Sequence, residues 1–154
     1  MSDIINNKCT GCSIAKGEIG SIIYETKNFV INQDPEVPLK GFLVISSKKH
    51  VNSLLNLNGE EREELNCLLF KARKSLDDLN ICKEVSIFQE ERSQHFHIWL
   101  YPYYDWMNEN FGKGIKYLRD INEYIIKNAT EKDKKEVFET IKQLKKYFEN
   151  NNNI

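Results

Sequence analysis

A chain of 154 residues has the length of one domain, and its 40% hydrophobic residues are typical of a globular protein. The formal net charge of −1 argues against a polyanionic partner such as duplex nucleic acid. No apolar run is long enough to span a membrane, and residues 1–7 lack the basic and apolar stretches of a secretory signal, so we expect a cytoplasmic protein with reduced thiols.

Cys9 and Cys12, in the sequence Cys-Thr-Gly-Cys, form the first informative pattern. Two thiols at this spacing, with Gly11 allowing a tight turn, can supply two of the four tetrahedral ligands of zinc. A thioredoxin-like redox pair would open a helix after a strand, and that context is absent here. Cys67 is better explained as a small buried hydrophobic residue and Cys82 as a structural residue, which leaves the histidines as further ligands. The alternative is that Cys9 and Cys12 are reduced thiols that bind no metal.

The next segments predict a sheet. Residues 22–24 and 29–31 are short β-type runs with a turn between them. The segment 34–38 holds two prolines and predicts a loop, because proline interrupts strand pairing. The apolar, β-branched run 41–45 predicts a buried strand, and a further strand follows at 85–89.

Three helices are predicted around this sheet. Asn58 and Glu61 form a capping-box pattern, and leucines at helical spacing over 59–79 predict a long helix packed on the sheet. Two more helices close the chain, one from about residue 114 to 127 and one that begins after Thr130. We therefore expect an α+β fold with about five antiparallel strands, one domain over residues 1–149, and a flexible tail at 150–154.

The stretch 95–102 alternates ring-bearing and apolar residues, which predicts a half-buried strand. On a strand, His95, His97 and Trp99 share one face, and Phe96 and Ile98 point to the other. Two neighbouring imidazoles on a rigid element can hold a metal, act as nucleophile and acid, or bind phosphate. The alternative is a pair of histidines on a solvated sheet face.

From Cys9 to about Pro102 the chain resembles the histidine triad (HIT) superfamily. Five pieces occur in the family's order: the Cys-x-x-Cys pair, the segment 14–19, the strand–proline loop–strand of 29–45, the lysine–histidine pair at 49–50, and His95-Phe96-His97. Two departures accompany them. Trp99 replaces the third motif histidine, and the loop 89–94 is shorter than usual and lacks the family's glycine.

The resemblance implies roles for particular residues. His97 occupies the position of the family's nucleophile, and Asn32 the position that binds ribose hydroxyls. A structural zinc ion would be held by Cys9, Cys12, His50 and His95. The side chains of Arg92, Ser93 and Gln94 are chemically suited to phosphate, and Trp99 could donate one hydrogen bond, stack on a ring, or fill the pocket.

The function implied is that of a nucleotide hydrolase or nucleotidyl transferase, similar to the diadenosine polyphosphate hydrolases. It would act at the α-phosphate of a nucleotide or dinucleotide through a nucleotidyl-histidine intermediate, and the family also implies a homodimer. Trp99 and the altered loop motivate a second hypothesis, a nucleotide-binding or scaffold protein with little turnover. A zinc-containing structural dimer without a ligand is a third hypothesis, but it leaves His97 unexplained.

Overall fold

The structure, a computed structural model, describes residues 9–152; the predictions for residues 1–7 and for the last two residues of the tail lie outside this part of the chain. One antiparallel sheet has the strand order β1-β2-β3-β5-β4. Its strands are β1 (Ile22–Glu25), β2 (Phe29–Gln33), β3 (Leu43–Ser47), β4 (Glu84–Gln89) and β5 (His97–Tyr103). The predicted five-stranded α+β architecture is confirmed.

The long helix and the two C-terminal helices are also confirmed. The helices are α1 (Thr10–Ala15), α2 (Gly59–Asp78), α3 (Asp105–Asn110), α4 (Leu118–Asn128) and α5 (Glu131–Asn150), with 3-10 helices at Leu54–Asn56 and Ile115–Tyr117. The sequence did not predict α1 or α3, because a helix of six residues is too short to show hydrophobic periodicity. None of the helices in residues 9–152 combines the length and apolar composition needed to cross a membrane.

Glycines displace two predicted boundaries. Gly41 has φ of 77°, a left-handed conformation, so β3 begins two residues later than the predicted start at 41. Gly114 has φ of 106° and is followed by the second 3-10 helix, so α4 begins at Leu118 instead of 114. The histidine strand likewise begins at His97, with His95 in the segment that leads into it.

Helix α2 begins at the predicted capping box. The Asn58 side chain accepts a hydrogen bond from the Glu61 backbone N–H at 2.9 Å, and the Glu61 carboxylate accepts from the Asn58 N–H at 2.8 Å. The helix packs its apolar face on one side of the sheet, through Leu65, Leu68, Ala72 and Leu76. This packing forms the main core and leaves the opposite side of the sheet for other elements.

The opposite side of the sheet carries the candidate site. Asn32, Val44 and Trp99 lie opposite one another in the register of β2, β3 and β5, so their side chains share that face. Helix α1 contacts β2 and β3, and therefore lies near the ends of the strands that bear these residues. The candidate site thus stands on the central strands of a packed sheet.

The two cysteines outside the Cys-x-x-Cys pair differ in solvent exposure. Cys82 is buried, and burial raises the pKa of its thiol to about 11. The expectation that Cys67 is buried is wrong, because its side chain is exposed on α2. The helix turns about 100° per residue, which places Cys67 roughly 100° from Leu68 and farther from Leu65, on the side of the helix that faces away from the sheet.

Leu68→Ala should destabilise the fold by about 2–5 kcal/mol, because Leu68 is 2% exposed between α2 and the sheet and its truncation leaves a cavity. Leu55→Ala is the matched control, since Leu55 is 91% exposed and the same truncation should change the free energy of unfolding by less than about 0.5 kcal/mol. Chemical denaturation of both variants measures the difference. Similar losses in the two variants would contradict this placement of the core.

Candidate active site and metal-ligand cluster

Cys9, Cys12, His50 and His95 form one cluster, in which the four ligand atoms lie within 4.8 Å of one another. Cys12 Sγ is 3.3 Å from His50 Nδ1 and 3.5 Å from His95 Nδ1, and Cys9 Sγ is also 3.5 Å from His95 Nδ1. Sulfur and nitrogen ligands of one tetrahedral zinc ion are separated by roughly 3.5 Å. The four groups that the sequence resemblance brought together therefore fit a zinc ion.

The cluster joins the N-terminal segment to the two central strands. Cys9 is the N-cap of α1 and accepts a hydrogen bond from the Cys12 backbone N–H at 3.4 Å, while His50 follows β3 and His95 precedes β5. Gly11 lies between the thiols, and a Cβ atom added there would collide with the His95 side chain. The backbone of Gly11 is outside the left-handed region, so close approach to His95, and not the expected tight turn, requires glycine.

His95 is oriented by the backbone of β3. Its Nε2–H donates to the Ser47 carbonyl at 2.6 Å, which leaves the Nδ1 lone pair toward the thiols. Burial lowers the pKa of the His95 imidazole, and the nearby His50 adds to this effect. The ring is therefore neutral, which is the form that binds a metal.

Burial and the neighbouring Cys9 thiol raise the cost of ionising Cys12. Partial burial, followed by the hydrogen bond and charge of Cys9, raises the pKa of the Cys12 thiol. Two adjacent thiolates are thus unfavourable without a cation between them, which is the arrangement that a divalent metal stabilises.

His97 is held in one tautomer. Its Nδ1 lies 2.9 Å from the His95 carbonyl oxygen, which can only accept, so Nδ1 carries the proton and Nε2 carries the lone pair. The Ser93 hydroxyl donates to the same carbonyl at 2.8 Å. The half-buried His97 ring lies in the wall of a cavity of about 340 Å³, a volume in the range of small-molecule sites.

Of the three residues predicted to suit phosphate, Ser93 and Gln94 line this cavity, and so does Trp99. Arg92 does not; its side chain is exposed on the loop before β5. Trp99 packs edge-on against Phe42 at a ring distance of 5.3 Å, and its ring centroid lies 5.9 Å from that of His97. The indole is thus part of the packed wall beside the imidazole.

Asn32 lies on the cavity side of the sheet and is fully buried. Neither its amide nitrogen nor its amide oxygen has a hydrogen-bond partner among the described residues. Leaving such a group unpaired costs about 1–3 kcal/mol, and buried polar groups are therefore normally satisfied. Asn32 is not among the described residues that line the cavity, so a ligand would have to displace part of the wall to reach the amide.

Sequence reasoning missed two carboxylates in the cavity wall, Asp34 and Glu36. Asp34 Oδ1 accepts hydrogen bonds from the backbone N–H groups of Glu36 at 3.0 Å and Val37 at 2.8 Å. Burial raises the pKa of the Asp34 carboxyl, and these two donors oppose the shift. The available signal was an acidic residue directly after the strand that carries Asn32.

A second cleft of about 490 Å³ lies away from the histidines, between the loop at 38–40 and helices α3, α4 and α5. Its lining includes Lys40, Tyr104, Trp106, Asp133 and Glu136, and no histidine or cysteine. Lys40 lies 3.9 Å from the Glu136 carboxylate and close to the Tyr104 ring. His97, together with Cys9 and His95 of the cluster, lines the smaller cavity and not this larger cleft.

No protein-family model matches the chain, and no curated protein matches it. Solved structures do resemble it. A hypothetical histidine triad nucleotide-binding protein from Sulfolobus tokodaii has 17% identity and a TM-score of 0.64, and the match covers 92% of this chain and 94% of that one. A histidine triad (HIT) family member from Bacillus subtilis has 18% identity and a TM-score of 0.59, with 80% and 99% covered.

A Zn-bound histidine triad family protein from Mycobacterium smegmatis is also similar, with 15% identity and a TM-score of 0.58 over 91% of this chain and 97% of that one. The similarity to these structures extends over most of each chain, whereas the sequences have diverged widely. The chain has the fold of the histidine triad proteins.

Proposed function

We propose that the chain is a nucleotide hydrolase or nucleotidyl transferase that acts at the α-phosphate through His97. The observation that carries this proposal is the hydrogen bond from His97 Nδ1 to the His95 carbonyl, which leaves the Nε2 lone pair on a ring in the wall of a ligand-sized cavity. A nucleophile needs such a fixed, unprotonated nitrogen. An imidazole on a solvated sheet face would need neither the fixed tautomer nor the cavity.

In the proposed reaction, His97 Nε2 attacks the α-phosphorus, and the bond from phosphorus to the leaving group breaks with its electron pair going to the leaving group. A nucleotidyl-histidine results. Water or a second acceptor then attacks the same phosphorus, and the electron pair of the P–N bond returns to Nε2. Ser93 and Gln94, which line the cavity, offer hydroxyl and amide donors to the phosphoryl oxygens.

Asn32 would bind the ribose. Its buried amide offers one acceptor and two N–H donors, and two vicinal hydroxyls can satisfy both functions. Occupation by a ribose would thus pair the amide atoms that are unpaired in the protein alone. This assignment agrees with the family position of Asn32.

We propose zinc as the resident metal, held by Cys9, Cys12, His50 and His95. Two thiolates and two imidazoles form a closed tetrahedral set with no position for substrate, so the ion would stabilise the site without joining the chemistry. The Zn-bound protein of the same fold supports this choice. Zinc binding by thiolates also agrees with a reducing, cytoplasmic setting.

We propose a homodimer through the β4 side of the molecule. Strand β4 is an edge of the sheet, and Ile87 on it is 50% exposed; its partner Leu100 packs under α2, so Ile87 lies on the α2 side. On α2 the leucines are largely used by the core, but Phe70 is 67% exposed. An open strand edge and an exposed phenylalanine on α2 are surfaces that a second copy can cover.

A nucleotide-binding protein with little turnover is the second candidate function. The observation that favours it is Trp99, which replaces a titratable side chain by an indole packed against Phe42. An indole cannot protonate a leaving group. In this case nucleotides would bind without forming a covalent adduct.

Purified protein should contain about one zinc ion per chain, and Cys9→Ser or His50→Ala should lose most of it. The melting temperature should fall with the metal, because binding of a structural metal is coupled to folding. Elemental analysis after gel filtration measures the content. Cys67→Ser is the control and should keep its zinc, since Cys67 is exposed on α2 outside the cluster. Full zinc retention in Cys9→Ser and His50→Ala would show that the cluster is not the site.

His97→Ala should lower the turnover of nucleotide esters by on the order of 10⁴-fold, because the covalent route is lost, and should leave zinc and melting temperature unchanged. His95→Ala should instead lose zinc and stability. Steady-state assays with the 4-nitrophenyl ester of a nucleoside 5′-phosphate and with a dinucleoside polyphosphate compare the variants, and intact-mass measurement detects the adduct on wild type. Nucleotide binding without turnover would favour the second candidate; neither binding nor turnover would exclude both.

In sedimentation at micromolar concentration the protein should have twice the mass of one chain. Phe70→Glu should shift it toward monomer, because a carboxylate would be buried in the apolar contact. Phe138→Glu is the control, since Phe138 is equally an exposed phenylalanine, 56% accessible, but lies on α5. A monomeric wild type, or equal effects of the two substitutions, would refute this interface.

A further inference from the structure

We propose that Ser46 binds the phosphoryl group at His97 and donates a hydrogen bond to one of its non-bridging oxygens. The inference rests on the proposed function and adds a residue to it. Ser46 lies in β3 and lines the same cavity as His97 and Trp99. Within residues 9–152 this lining holds no lysine or arginine, so neutral donors must stabilise the negative charge on the phosphoryl oxygens.

The register of the sheet places Ser46 directly opposite His97. The next pair along the two strands, Ser47 and Phe96, is joined by a backbone hydrogen bond of 3.2 Å. Bonded and unbonded pairs alternate in an antiparallel ladder, so Ser46 and His97 form an unbonded pair. The Cα atoms of such a pair are only about 4.5 Å apart, and both side chains lie on one face. The hydroxyl therefore stands beside the imidazole on the cavity side of the sheet.

The two strands beside β5 differ in what they offer to His97. Strand β4 ends at Gln89, which pairs with Ile98, so this strand places no residue opposite His97. The residue that follows is Glu90, whose carboxylate can only accept hydrogen bonds. A phosphoryl group on Nε2 of His97 would therefore find a side-chain donor on the β3 side, at Ser46.

The hydroxyl of Ser46 is uncommitted, whereas that of Ser93 is not. Ser93 donates to the His95 carbonyl at 2.8 Å, and this bond has to break before the hydroxyl can serve a ligand. Ser46 is only 1% exposed, and its hydroxyl forms no hydrogen bond with another residue in the described part of the chain. A hydroxyl in a cavity wall without a partner in the protein is free to donate to a ligand.

The competing explanation is that Ser46 only fills space in the sheet. Ser46→Ala removes the hydroxyl and breaks no hydrogen bond within residues 9–152, so its melting temperature should not fall below that of wild type. Ser86→Ala is the matched control, because Ser86 is also a strand serine but lies on β4 and lines a different cleft.

The experiment compares kcat/KM for the 4-nitrophenyl ester of a nucleoside 5′-phosphate with kcat/KM for the two phosphorothioate diastereomers of that ester, in which sulfur replaces one or the other non-bridging oxygen. Sulfur is a weak acceptor, so the hydrogen bond is already impaired in the diastereomer whose sulfur faces Ser46. Ser46→Ala should lower kcat/KM on the order of 100-fold for the oxygen ester and for one diastereomer, but less than about threefold for the other. Ser86→Ala should leave all three values unchanged.

Equal losses on all three substrates in Ser46→Ala, or unchanged values for all three, would overturn the inference. If wild type binds nucleotides but does not turn over the ester, calorimetry decides instead. Ser46→Ala should then weaken the binding of a nucleoside 5′-phosphate about tenfold and leave the binding of the nucleoside unchanged, and equal effects on the two ligands would overturn the inference. A wild type that neither binds nor turns over nucleotides refutes the proposed function itself, and the inference falls with it.

Discussion

The hydrogen bond from His97 Nδ1–H to the carbonyl of His95 is the constraint on which the site depends. His95 contacts the thiols through its side chain and His97 through its backbone. The His95 side chain faces the two thiols, and its carbonyl fixes the tautomer of His97. The Ser47 carbonyl of β3 in turn holds the His95 ring. A displacement of His95 would disturb the cluster of Cys and His groups and the proposed nucleophile together. A structural metal can therefore support catalysis without contacting the substrate.

The same constraint explains the sequence around Cys9 and Cys12. The thiols must approach His95 closely, and Gly11 is the residue whose Cβ would occupy the space of that ring. Helix α1 is short and packs against β2 and β3, so its position depends on the contacts at the cluster as well as on its few buried side chains. A metal bound at the cluster would strengthen the attachment of α1 to the sheet, where the apolar contact is small.

Hydrophobic periodicity, together with the turn and capping residues between segments, predicted the sheet, α2 with its capping box, and α5. These elements are long or have clear signals at their ends. The start of β3 was misplaced because an apolar run does not reveal that Gly41 adopts a left-handed conformation. For the site, the resemblance correctly grouped Cys9, Cys12, His50 and His95, which are distant in sequence. It did not place Asp34 and Glu36 in the cavity, because their location depends on how the loop after β2 folds over the sheet.

The charge of the cavity constrains the number of phosphates on a substrate, whereas the shared fold does not. Among residues 9–152, its lining includes the carboxyl groups of Asp34 and Glu36 and no lysine or arginine, and Arg92 lies outside it. A chain of several phosphates would bring multiple negative charges toward these carboxylates without a cation to balance them. A nucleotidyl ester with a single anionic phosphate meets less repulsion. Under the proposed function, the electrostatics of the cavity therefore favour a leaving group that carries no phosphate of its own.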